Sequence, residues 1–269
     1  MRLSNYINER SDYENPGRGK EISMEEAIKI APMFSEAINA STVITRVSRT
    51  AELYPYYLVD PKKSIVKRGS RNTYNYYTEI IDNSSAWKKY PKRSESLIAS
   101  VNKNCGSKFP MRLLPKNGSK IGVCSGQDLW FSFKKSFLSL DMNEVNHALD
   151  DLFHTSNDKI SKFDKNLESI KTACKNFDNW YKNQEDIKNM IKREFGTRWT
   201  ADNIERLLKD YKGNLYGLLE SKLNPDKNGF KLITTSNLNS VNGQVKEVWT
   251  DAESLMVRCD ECEKFYKEI

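Results

Sequence analysis

Histidine is almost missing from this chain: His147 and His154 are the only two among 269 residues. A nucleophilic triad driven by a histidine base therefore has little support. A zinc site normally asks for four ligands, and the single Cys259-Asp260-Glu261-Cys262 pair does not supply them. No apolar run approaches the ~18 residues that a membrane span needs, so no membrane partner is expected. The first 20 residues are too polar for a signal peptide, and the expected place of work is the cytoplasm. Five cysteines, odd in number and scattered, fit reduced thiols there. No complete glycine-rich dinucleotide or Walker pattern is present; Gly69 and Gly118 read as turn residues.

What is present suffices for a packed core. Hydrophobic residues make up 38% of the chain and aromatic residues 11%. The net charge of +7 is unevenly placed: residues 60–135 hold 16 Lys/Arg against 5 Asp/Glu, a local +11 that leaves the rest of the chain at −4. Such asymmetry suggests an anionic ligand or partner. Within it, Val66–Ser100 crowds Arg68, Arg71 and Arg93 together with Tyr74, Tyr76, Tyr77, Trp87 and Tyr90. Arginine forks and aromatic faces among small polar residues are what a ligand bearing phosphates and rings asks of a surface. A basic loop with aromatics tucked onto the domain has the same composition.

The order of elements reads as α+β. Residues 1–22 form a polar arm. Ser23 caps a helix with Glu26 three residues on, Ala27, Ile30, Phe34 and Ile38 follow at helical spacing, and Pro32 bends it. Thr42–Val47 reads as a β-branched strand, and a loop-rich section leads to a short strand from Leu97. Met111–Pro115 and Ser119–Cys124 are extended around Lys116-Asn117-Gly118, and the Asp128–Phe133 segment is irregular or extended. Residues 141–223 carry helical stripes and read as an insertion, and residues 224–269 return to strands: Phe230–Thr235, Lys246–Thr250 and Leu255–Arg258. Residues 23–140 and 224–269 thus make one core.

If the two strand-rich parts share a sheet, Arg46, Ser100 and Glu247 come from three separate strands. On Thr45-Arg46, Ile98-Ala99-Ser100-Val101, Leu113–Ser119 with Ile121, and Glu247-Val248-Trp249, the chain resembles the ADP-ribosyltransferase fold family in its arginine–serine–glutamate class. The likeness spans residues 23–135 and 229–258. In its Pro91-Lys92-Arg93-Ser94 and Ser96-Leu97-Ile98 stretches it is also similar to transferase-like proteins carried by large bacteriophages.

The resemblance implies a split-sheet core with a helical insertion, and NAD as co-substrate. It further implies an enzyme that cleaves the nicotinamide–ribose bond and passes ADP-ribose to a protein or nucleic-acid acceptor. It assigns catalysis to Glu247, Ser100 and Arg46, with Glu253 as a rival carboxylate. NAD contacts fall to Arg46, Arg68, Arg71, Arg93, Ser96, Tyr74, Tyr76, Tyr77 and Trp249. Ser100 is followed by Val101-Asn102, so a full Ser-Thr-Ser is absent, and Val245 stands where arginine-modifying members carry a Glu. NAD hydrolysis or a different acceptor stays open. So do two non-catalytic readings, an inactive relative of the fold and a basic nucleic-acid-associated or virion protein.

Overall fold

Ser23 opens the first helix. Its Oγ accepts from the Glu26 N–H at 3.1 Å, satisfying a donor that α1 (Met24–Ile30) otherwise leaves bare. Pro32 sits in the first turn of a 3-10 segment, Ala31–Phe34, where its missing N–H costs nothing, and α2 (Ser35–Ile38) follows. The expected bend at Pro32 is therefore a short 3-10 link. The computed structural model describes residues 19–48, 50–63, 74–101, 110–155, 166–183, 189, 191, 193, 198–241 and 245–269.

The chain divides into two units, one of residues 1–71, 89–128 and 230–269, the other of residues 72–88 and 129–229. Among the described residues the first unit is built on nine strands: β1 (Gly19–Glu21), β2 (Ile44–Val47), β3 (Tyr56–Val59), β4 (Leu97–Val101), β5 (Pro110–Pro115), β6 (Lys120–Val123), β7 (Lys231–Thr234), β8 (Lys246–Thr250) and β9 (Ser254–Arg258). They are hydrogen-bonded in the order β1-β3-β9-β5-β2-β4-β8-β6-β7, and each pairing is antiparallel. Together with the helices this is an α+β architecture. The sequence reading placed neither β1, within the supposed arm, nor β3, within the loop-rich section.

Both faces of the central strands are covered. Ile44, Leu97, Ala99, Val101, Met111, Leu113, Val248 and Met256 share one buried cluster with Leu238 and Val241. On the opposite face Leu114, Leu255 and Val257 pack with Ala27, Phe34 and Phe265, the last from a short C-terminal helix (Cys262–Glu268). Double-sided burial explains why Leu97–Val101 and Leu255–Val257 read as near-continuous apolar runs rather than as alternating ones.

The second unit is helical. It contains helices at Asn75–Asn83, Leu129–Ser132, Met142–Thr155, Leu167–Lys182, Arg198–Leu207 and Leu215–Lys222. The stripes Val145/Leu149/Leu152 and Ile170/Cys174/Phe177 are buried, while His147 and His154 lie exposed on their helix. Asp128–Phe133, expected to be irregular or extended, contains the helical turn Leu129–Ser132, because Leu129 and Phe133 at i and i+4 both bury.

Among the described residues no helix is long and apolar enough to cross a membrane. Cys124, Cys174 and Cys262 are reduced. Cys259 is disulfide-bonded, against the expectation of reduced thiols throughout. Chain spacing says nothing of which thiols the fold brings within bonding reach.

Candidate active site

Strand register aligns the central residues. Thr45 on β2 pairs with Ser100 on β4, and Ser100 pairs in turn with Glu247 on β8. Directly opposed residues in an antiparallel ladder project to the same face, so Thr45, Ser100 and Glu247 form a row across three adjacent strands. Ile98 and Trp249, two residues along, form the next row. Arg46 is one residue out of step with these rows and faces Met111 on β5. Its guanidinium is buried, with Nη1 donating to the Ile98 carbonyl at 2.6 Å. The structure thus brings Ser100 and Glu247 face to face and uses Arg46 to tie β2 to the backbone of β4.

The Glu247 carboxylate has a fixed partner. Arg93 Nη2 lies 2.8 Å from Oε1, with the arginine side chain 5% exposed and the glutamate 15%. Arg93 is supplied by a 3-10 turn, Arg93–Glu95, pinned where the Ser96 hydroxyl donates to the Lys92 carbonyl at 2.5 Å. Its guanidinium also stacks 5.2 Å from the ring of Trp249. That indole is buried, donates from Nε1 to the Pro91 carbonyl at 2.9 Å and stacks on Tyr90 with ring centres 6.0 Å apart. Gly122 leaves it room, since a Cβ there would lie 2.2 Å from the indole ring. Ser96 and Trp249 are therefore framework for Arg93 rather than open contact surface.

Backbone bonds hold Glu247 on its other side. Its N–H donates to the Gln127 carbonyl and its carbonyl accepts from the Cys124 N–H, both at 3.0 Å. The Cys124 thiol lies 3.9 Å from Oε1. Oε2 has no hydrogen-bond partner among the described residues, so its lone pairs face a ligand or solvent. Ser100 Oγ, with its residue 1% exposed, is likewise without a partner among the described residues. A buried hydroxyl left this way costs free energy that a bound polar group recovers. Glu253 stands elsewhere, in the turn between β8 and β9, 3.7 Å from Lys116.

The tyrosines belong to the helical unit. Tyr76 and Tyr77 are buried on the Asn75–Asn83 helix with Ile80 and Ile81. Tyr76 lies 4.4 Å from Tyr77 and edge-on to Phe153, and Tyr77 packs on Trp130 and donates to Asn146 Oδ1 at 2.8 Å. Burial pushes both phenols far above the ordinary tyrosine range. Tyr74 donates to Asp150; burial and that bond raise its phenol as well. These rings pack against one another and against Phe153 and Trp130. Arg68 and Arg71 lie outside the described residues.

No protein-family model, curated protein or solved structure matches this chain. The site therefore stands on its geometry. Sequence reasoning missed the pairing of Arg93 with Glu247, and with it the parts of Gly122 and Cys124. The faint signal was two positions rarely needed for sheet packing, a glycine inside the β6 pattern and an arginine two residues after Pro91.

Proposed function

We propose that the protein is an NAD-consuming mono-ADP-ribosyltransferase whose catalytic carboxylate is Glu247. The observation that carries this reading is the Ser100–Glu247 register pair, with Arg93 fixing one carboxylate oxygen and Ser100 Oγ awaiting a partner. A split-sheet transferase core is part of the proposal. When NAD is cleaved, the bond from ribose C1′ to the nicotinamide nitrogen breaks with its electron pair, and nicotinamide leaves neutral. The ribose gains oxocarbenium character, which a carboxylate on its face stabilises. The acceptor's nucleophile then bonds to C1′ and gives up its proton.

In this reading Glu247 Oε2 takes a ribose hydroxyl and Ser100 Oγ bonds the nucleotide. Arg93 is a positioning residue, and Arg46 fixes the strand edge on which Ser100 lies. Arg68 and Arg71 keep the phosphate contacts that the resemblance implied.

Release of labelled nicotinamide from NAD, with and without cell extract as acceptor, tests the reading. Glu247→Gln, whose amide oxygen can still accept from Arg93, should lower the rate by about two to three orders of magnitude while the chain still folds, and Glu253→Gln should leave the rate unchanged. Absence of NAD binding and turnover under all conditions sinks the proposal. Nucleic-acid affinity with a steep salt dependence, indifferent to Glu247, then favours the non-catalytic basic protein. Glu247→Ala is the weaker catalytic probe, because it also removes the ion pair to the buried Arg93 guanidinium. It should cost about 3–5 kcal/mol in denaturant unfolding.

A further inference from the structure

The helical unit contains a cavity of about 590 Å³ whose charged lining is one-sided. Among the described residues Lys135, Lys212, Lys222 and Lys227 face it against a single carboxylate, Asp210. Lys222 is the buried member, its side chain 5% exposed, with the largely exposed Asp210 3.7 Å away. Its Nζ donates to the Ser136 carbonyl at 3.2 Å and sits 5.9 Å from the ring centre of Phe137. Burial lowers the pKa of this ammonium despite the pull of Asp210, so the protein alone under-compensates the charge. Lys135 and Lys212 are exposed and have no ion-pair partner among the described residues. Lys227 Nζ donates to the Ser221 hydroxyl at 2.6 Å and has no ion-pair partner among the described residues.

The wall is also held in an uncommon shape. Leu138 and Ser139 both carry positive φ, 53° and 66°, which side chains other than glycine adopt at a cost. Arg206 clamps this bend by donating to the Leu138 carbonyl. Ammonium groups converging on a concave, partly apolar space match phosphate oxygens, for which lysine acts as a mobile point charge. The volume lies in the ~300–1,000 Å³ range of small-molecule sites.

We infer that this cavity binds a phosphate-bearing small molecule of up to mononucleotide size, held by Lys135, Lys212, Lys222 and Lys227. The inference uses only residues 135–227 and is independent of the NAD reading.

Titration calorimetry of the full chain with inorganic pyrophosphate and, separately, with ADP tests it. Lys135→Ala/Lys212→Ala should bind at least about tenfold more weakly for the loss of two charge contacts, and Lys264→Ala, which removes an exposed lysine outside the cavity lining, should bind as the wild type does. Similar affinity for both probes assigns the site to polyphosphate oxygens alone; ADP binding at least about tenfold tighter assigns it to a nucleotide. Amine footprinting of the wild-type protein provides a readout that does not rely on a variant folding: pyrophosphate should protect Lys135, Lys212 and Lys227 from acetylation. Absence of binding at millimolar probe, undiminished binding by the double variant, or protection confined to other lysines overturns the inference.

Discussion

At the scale of single residues, the candidate site depends on exchanges of space and charge that are local and severe. Gly122 gives up a side chain so that the Trp249 indole can lie flat across β6, and Trp249 in turn carries the Arg93 guanidinium. Adding one methyl group there forces the indole or the strand to move. Gly122→Ala should destabilise the protein by about 1–3 kcal/mol, as overpacked cores do. Because the displaced ring also shifts Arg93, NAD turnover should fall as well, a joint loss read by denaturant unfolding and nicotinamide release. The positions of Ser100 and Glu247 were legible in the sequence as strand residues of the right type. Their pairing partners were not, because a register is set by long-range ladder contacts that no local pattern encodes. For the same reason Tyr76 and Tyr77 looked like ligand contacts. An aromatic that packs a core and one that stacks on a ring have the same letters, and only burial tells them apart.

At the scale of elements, one carboxylate joins three segments. Glu36 on α2 accepts from the Gly118 N–H at 2.8 Å in the turn between β5 and β6, and from the Thr235 hydroxyl just past β7. Asn117 returns the tie, its Oδ1 accepting from the Glu36 N–H at 3.0 Å. The Gly118 and Thr235 bonds hold the Glu36 carboxyl below its ordinary value of 4.5. A carboxyl with a depressed folded-state pKa contributes stability in full above its unfolded value and loses it as pH falls through the folded one. Glu36→Gln should therefore melt at a lower temperature than wild type at pH 7, and the gap should close as pH falls from about 5 towards 3. Thermal melts of both proteins across that range check the sign. The turn itself was readable: Asn-Gly marks it, and Gly118 has a φ of 71°. Its docking onto α2 was not, since 81 residues separate Asn117 from Glu36.

At the scale of the whole molecule, the chain closes its sheet with its last strands. β9 lies between β3 and β5, and β8 between β4 and β6. The ladder from Tyr56 to Val257 joins residues roughly 200 positions apart, so the sheet cannot be completed until nearly all of the chain is available. A chain ending at residue 245 keeps β1–β3, β5–β2–β4 and β6–β7 only as separate fragments. Hydrogen exchange should find the amides of β2, β4 and β5 protected in the full chain and unprotected in that truncation. Native-like protection of those strands in the truncated chain would contradict the topology. Local pattern sufficed for the α+β class, the Ser23 cap, the strands β2 and β4 to β9, and the helical stripes, because each rests on neighbours a few residues apart. Tertiary contacts alone show that Arg93 pairs with Glu247, that the tyrosines at 74–77 pack among helices, and that four lysines share one cavity. Each of those depends on which distant segments meet, and that is settled by sheet register and core packing rather than by any local propensity.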